Sequence, residues 1–300
     1  MMIGKNRSLI RGREDYILET CCTLIIGVFA LCCLAPFVYV FFISFMSYEE
    51  YLSNPLRVIP RNPTINAYKE ISGYNLIHSG YLVTGFVTVF GTILSVFLLV
   101  ISAYPLSKPS LKGRGIIMGF ILFTMFFNGG MIPNYLLVRN LGIYNTVWSL
   151  ILPGCISAFY LILMKNFIRT AIPVSLEEAA KVDGANEIRI LFSIYVPLLK
   201  PAIATMIIFC AVNYWNNYFS AMMYIADRKL WPLILVLREL VVENTDAVSP
   251  VTAMLTSAAR SHPFTLKMAA IIIVILPILV IYPFMQKHFV KGIALGSVKE

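Results

Sequence analysis

Charged side chains make up only 13% of this 300-residue sequence, about half the roughly 25% typical of water-soluble domains. With 24 Lys+Arg and 15 Asp+Glu against 59% hydrophobic residues and a mean hydropathy of +0.79, it cannot furnish a soluble surface. Catalytic signatures are missing as well. There is no HExxH for a zinc protease, no GxSxG for a serine hydrolase and no GxxxxGK[ST] with which the chain would bind ATP itself. The three histidines, His78, His262 and His288, are dispersed, and the six cysteines (21, 22, 32, 33, 155 and 210) lie in apolar runs without metal-ligand spacing or a disulfide pattern. Their setting predicts packing or lipid-facing thiols. The formal charge of +9 is therefore read as a topological signal for a membrane chain, not as a nucleic-acid footprint.

What the sequence has in abundance is apolar length. Thr20 to Tyr48 contains no charged residue, longer than the roughly 7–15-residue core of a signal peptide, so the N-terminal stretch is predicted to be a retained span. A helix needs about 20 mostly apolar residues to cross a bilayer. Six windows bounded by charges satisfy this, at about 21–45, 81–106, 116–137, 146–164, 201–225 and 268–286. The expected fold is all-α, a single polytopic membrane domain (1–300) with six transmembrane helices. Placing the termini, the 107–115 loop and the 165–200 loop on one face gives that face fifteen Lys/Arg against nine on the other. The excess marks the cytoplasmic side, so both termini are predicted to be cytoplasmic. The opposite face receives the 46–80 loop, a turn near 139–145 and a long 226–265 segment, uncharged from Ala247 to Ala259 and read as interfacial or re-entrant.

No window carries Asp, Glu, Lys or Arg near its middle, which argues against proton or sodium coupling through a carboxylate. A transporter built this way must be powered from outside. The segment Pro173 to Pro197 suggests how. Ser175 and Glu178 have capping-box spacing, predicted to open a short helix with a flat surface at Ala179 and Ala180. Asp183-Gly184 stops that helix, because glycine accepts the left-handed exit conformation. A second helix follows, with Ala185, Ile188, Leu191, Phe192 and Tyr195 on one apolar face and Pro197 helping to end it. Two short helices at an angle make a knob suited to a groove on a partner.

Glu178-Ala179-Ala180, Asp183-Gly184-Ala185, Phe192, Ile194, Pro197 and Pro201 together resemble the EAA loop of binding-protein-dependent ABC importer permeases. The resemblance implies a type I importer permease whose 173–197 loop is the cytoplasmic coupling helix. It further implies docking on an ATPase through Glu178, Ala179, Ala180, Asp183, Gly184 and Ala185. Similarity continues through Leu141 to Thr146, Trp215-Asn216-Asn217-Tyr218, the tail Gln286 to Gly292, and Pro60 and Pro63 ahead of Ile65-Asn66-Ala67-Tyr68. These resemble the carbohydrate-uptake, maltose-permease branch. Asn128-Gly129-Gly130-Met131-Ile132-Pro133 is similar to the subgroup importing complex oligosaccharides, some containing uronic acids. Asn217 departs from the branch, which often has an acidic residue there.

The partners implied are a second homologous permease, two copies of a P-loop ATPase holding ATP and Mg, an extracytoplasmic solute-binding protein, the oligosaccharide and the bilayer, with no nucleic acid. The chain itself is expected to bind no cofactor and to perform no chemistry. Candidate contacts along the substrate path are Asn213, Trp215, Asn216, Asn217 and Tyr218, a polar and aromatic cluster read as the middle of an apolar helix, and Asn128 beside Gly129, Gly130 and Pro133, which interrupt the third window. Interhelical hydrogen bonding by the asparagines is the competing reading. A permease for peptides or amino acids, a stand-alone facilitator and an intramembrane enzyme remain as alternatives.

Overall fold

The computed structural model describes residues 13–54, 57–242 and 263–297, and its elements there are helical. The chain divides into two units. The first comprises residues 1–70 and 254–272, the second 71–253 and 273–300.

In the first unit, α1 (Arg13–Ser44) has a membrane-length apolar portion, Tyr16–Ser44, that is exposed as far as Val38 and becomes buried at its end, at Ile43 and Ser44. A helix apolar all round belongs in lipid or against other helices. α1 ends at Ser44, one residue from the expected span end at 45, and Ser47 then caps the short α2 (Tyr48–Ser53) by accepting from Glu50 N–H. Glu50 in turn accepts from the N–H groups of Arg61 and Asn62 at 2.5 and 3.4 Å, folding the proline-flanked loop back. α3 (Asn66–Ser72) follows, and Tyr68 shares a 2.6 Å hydrogen bond with Ser44.

The second unit is organised around α4 (Asn75–Ser107). Its buried positions include Ile77, Gly80, Thr84, Val87, Gly91, Ser95, Leu99 and Ala103, spaced by three or four residues. Small residues on such a stripe let neighbouring backbones approach, the main source of helix association where lipid is as apolar as the side chains. At Gly80 a methyl group would meet the Leu233 backbone at 3.2 Å, and at Gly91 it would stand 2.7 Å from the Tyr214 ring.

The third window is two helices, α5 (Arg114–Phe126) and α6 (Met131–Asn140), bent by 112° across Asn128 to Gly130. The fourth contains the single turn α7 (Trp148–Ile151), then α8 (Ala158–Ala171), with Pro153 and Gly154 between them. After Pro173 the chain bends by 74° into α9 (Val174–Val182). Next comes α10 (Glu187–Leu198), which turns by 80° at Leu199 into α11 (Lys200–Trp215). α12 (Tyr218–Tyr224), a 3-10 turn at Arg228–Leu230, α13 (Leu233–Val242) and α14 (Pro263–Ser297) complete the chain, the start of α14 belonging to the first unit. Among the described residues three helices reach membrane-spanning size by length and composition, and the three bent pairs would raise this to six if each is one span. The Ala247 to Ala259 segment lies outside the described residues, whereas 228–242, expected to be external loop, contains the 3-10 turn and α13.

Candidate functional sites

Two places in the second unit carry the residues singled out from the sequence. The first is the 173–197 loop. Its opening helix begins without the expected capping box: Pro173 is the N-cap, Val174 starts the helix, and Ser175 lies inside it, so the Ser175–Glu178 spacing closes no cap. Its exit is as anticipated. Gly184 has φ +79, its N–H bonds the Lys181 carbonyl and the Ala185 N–H bonds that of Ala180, the double closure of a Schellman motif. Asn186 then caps α10 by accepting from Arg189 N–H at 2.8 Å.

The α10 face differs from the predicted one. Residues 191–195 form a π-turn, which adds a residue to one turn and shifts the helix phase. Ile190, Leu191, Tyr195 and Leu199 are buried while Ile188 and Phe192 are exposed. Pro197 is the penultimate residue of α10, which ends at Leu198 before the 80° bend, as a proline that helps to end the helix would be placed.

Of the six docking candidates, Glu178, Ala179, Asp183 and Gly184 are exposed and available to a partner, and Ala185 is half-buried. Ala180 is buried in this chain's own core and is unavailable. Val182, Ile188 and Phe192 complete an exposed apolar surface around them.

The residues that hold the loop were missed from the sequence. Glu177, one position before the EAA-like triplet, is buried and pairs with Lys108 at 2.9 Å and Lys181 at 2.7 Å. Its other oxygen accepts from the Tyr195 hydroxyl at 2.6 Å. Glu187 pairs with the same two lysines and accepts from the Tyr104 hydroxyl at 2.6 Å. Tyr104 and Tyr195 meet edge to face with centroids 4.8 Å apart. Two carboxylates, two ammonium groups and two phenols thus tie α9 and α10 to the end of α4. Burial by itself would raise the Glu177 pKa, but hydrogen bonds from Lys181, Tyr195 and Lys108 outweigh it and the net shift is downward. The hydrogen bonds from Lys108 and Tyr104 hold Glu187 at about 2. Tyr195 is raised, first by burial and then by its bond to Glu177. The Glu177–Lys181 spacing of four was the legible signal. Lys108 and Glu187 are too distant in sequence to have been paired.

The second place is a cavity of about 710 Å³ where α11 breaks. The polar cluster expected in mid-helix instead ends one helix and starts the next: Asn216 is the C-cap of α11 and Asn217 the N-cap of α12. Amides are well suited to both positions, since they bond the backbone locally. Asn216 donates to the Val212 carbonyl at 3.0 Å and Asn217 accepts from Ser220 N–H at 3.3 Å. Asn216 is left with an acceptor and Asn217 with donors. Asn213, Asn216, Asn217 and Tyr218 all line the cavity, with Ser149, Ser220 and apolar side chains. Trp215 is half-buried and does not line it. Asn128 lies elsewhere, exposed at the α5–α6 break, where its carbonyl accepts from Gly130 N–H at 3.0 Å.

The cavity wall is fixed by Tyr214, whose buried ring fits the notch at Gly91. Its hydroxyl bonds Ser95 at 2.9 Å and the Ile151 carbonyl at 3.2 Å. At the adjoining end Asn145, with φ +57, accepts from the N–H groups of Ala226 and Asp227 at 2.9 and 2.8 Å. Asn145 thus clamps the chain that leaves α12.

Comparison with known proteins adds an independent line. The family described as binding-protein-dependent transport system inner membrane component matches residues 2–295. The chain is 45% identical to the polygalacturonan/rhamnogalacturonan transport system permease protein YtcP of Bacillus subtilis (strain 168), over 90% of this chain and 94% of that one. It is 39% identical to protein LplC of the same organism, over 94% and 95%. Among solved structures it superposes on a chain of a bacterial ABC transporter involved in the import of the acidic polysaccharide alginate. There the TM-score is 0.86 and the identity 36%, covering 93% of this chain and 98% of the other.

Proposed function

The chain belongs to the family of binding-protein-dependent transport system inner membrane components, and from that premise we propose that it is a permease subunit of an ABC importer for acidic, uronate-containing oligosaccharides. One observation carries the substrate class: the agreement extends over nearly the whole chain with relatives named for polygalacturonan and rhamnogalacturonan and with an importer of alginate. Relatives named for sugar polymers favour this over a peptide or amino-acid permease.

In this reading a companion permease completes the translocation path, two P-loop ATPases bind ATP and Mg, and a solute-binding protein delivers the sugar. The basic excess of the 107–115 and 165–200 loops orients both termini to the cytoplasm. Glu178, Ala179, Asp183 and Gly184 meet the ATPase, with Val182, Ile188 and Phe192 around them. ATPase closure moves the loop, and the Glu177/Glu187 cluster transmits that movement to α4. A partner that binds two states of the loop differently shifts the spans between inward and outward access. At the α11 break, Asn213, Asn216 and Asn217 replace water on sugar hydroxyls while the apolar wall excludes bulk solvent.

The test is uptake by vesicles holding the chain with its companion permease, ATPases and binding protein. ATP-dependent accumulation of oligogalacturonate is expected. Accumulation of neutral oligosaccharides alone refutes the acidic class, and flux through vesicles holding only this chain refutes the importer assembly.

A further inference from the structure

α13 (Leu233–Val242) is apolar apart from Arg238 and Glu239, which stand side by side. Successive residues on a helix project about 100° apart, and these two charges have different surroundings. Glu239 is buried, and its Oε1 accepts from Arg228 Nη2 at 2.8 Å. Arg238 is exposed. Its guanidinium lies 5.1 Å over the Tyr218 ring centre, and Nη1 is 3.5 Å from Met222 Sδ, which also receives the Tyr218 hydroxyl at 2.8 Å. Among the described residues no carboxylate pairs with Arg238.

Tyr218 is the link to function, because the ring that carries this cation also lines the 710 Å³ cavity. Guanidinium is always protonated and presents its donors as a planar fork that matches a carboxylate bidentately. A ring face and a thioether orient the plane of the fork while neutralising none of its charge. The amides of Asn213, Asn216 and Asn217 provide for hydroxyls in the cavity, and on the Tyr218 ring beside it Arg238 is a cation that no carboxylate among the described residues pairs.

Building on the acidic-oligosaccharide reading above, we propose that Arg238, positioned by Tyr218 and Met222, binds the carboxylate of a uronate unit beside the cavity and is a specificity-determining residue of the importer. The chemistry that fits is a sugar acid whose hydroxyls meet the asparagine amides while its carboxylate meets the fork.

The experiment uses the complete reconstituted importer with Arg238→Gln and Arg238→Lys, comparing uptake of an oligogalacturonate with that of its carboxyl-reduced, neutral counterpart. Arg238→Gln is expected to raise the half-saturating concentration for the acidic sugar about tenfold, equivalent to ~1.4 kcal/mol, and to leave the neutral one unchanged. Arg238→Lys keeps the charge without the fork and is expected to fall between. Salt dependence is a second readout that needs no neutral substrate: acidic uptake by Arg238→Gln is expected to respond less to salt than wild type. Equal losses for both sugars, or wild-type kinetics and salt response in Arg238→Gln, overturn the assignment while leaving the importer reading intact. Wild-type vesicles that take up no acidic oligosaccharide overturn both.

Discussion

Glu177 and Glu178 are adjacent in sequence, and exchanging each for glutamine separates two roles. Glu177 is buried between Lys108, itself largely buried, and Lys181, which is half exposed. Removing one member of a buried pair costs about 3–5 kcal/mol when its partner is left alone. Here Lys108 retains Glu187 and the Tyr104 hydroxyl. The exposed Lys181 pair adds no more than about 1 kcal/mol, and the glutamine carbonyl still accepts from Tyr195. The net cost of Glu177→Gln is therefore about 1–3 kcal/mol. With 2–4 °C per kcal/mol for chains of some 200 residues, the midpoint of thermal unfolding of the detergent-solubilised complex should fall by roughly 5 °C. Glu178 is exposed and makes no ion pair among the described residues, so Glu178→Gln should stay within about 0.5 kcal/mol of wild type while retaining less ATPase on purification. A wild-type midpoint for Glu177→Gln, or a larger drop for Glu178→Gln, would refute the division of labour drawn from the loop geometry.

Three further outcomes are expected. Glu177 and Glu187 have pKa values below the ordinary 4.5, Glu187 at about 2, so their contribution is present above about 4.5 and is lost as pH falls toward 2. Protection factors of the amides in residues 174–198, corrected for the intrinsic pH dependence of exchange, should therefore fall on acidification through that window, and Glu187→Gln should flatten the response. Tyr214→Phe loses the bonds to Ser95 and Ile151 for about 1–2 kcal/mol, and Gly91→Ala, whose methyl meets the Tyr214 ring at 2.7 Å, costs about 1–3 kcal/mol by overpacking; equal midpoints for both variants and wild type would remove Tyr214 as the anchor of the cavity wall. Asn145→Ala leaves two backbone N–H groups without their acceptor and strains a positive φ, about 2–3 kcal/mol in all, whereas Asn145→Gly relieves the strain and should recover about 1 kcal/mol in the same melting assay.

Local chemistry was the legible part of the sequence. Asp183-Gly184 announced the exit of α9 because a single backbone conformation and a single residue type satisfy it, and apolar length announced α1, α4 and α14. What depended on phase or on distant partners was hidden. The spacing of Ala185, Ile188, Leu191, Phe192 and Tyr195 assumed a uniform 3.6-residue period, and the π-turn at 191–195 breaks it. Ser175 and Glu178 had the spacing of a cap, yet Pro173 sets the helix start two residues earlier than that cap requires. Asn213 to Tyr218 were singled out for their polarity, but composition could not show that Asn216 and Asn217 serve as helix ends. Lys108 reaches Glu177 and Glu187 only because α4, α9 and α10 converge, and Arg238 reaches Tyr218 only because α13 lies beside α12.

The π-turn at Leu191–Tyr195 works as a phase shifter. One surplus residue rotates everything before it by about 100° relative to everything after it, which is why Ile188 faces outward although it lies seven residues, nearly two full turns, from the buried Tyr195. The outward apolar surface and the inward anchor of one short helix are thus separate dials. Deleting a single residue within 191–195 would close the π-turn into regular α-helix and keep Ile188 outward, whereas forcing all five residues into regular α-helix would swing Ile188 onto the buried Tyr195 face.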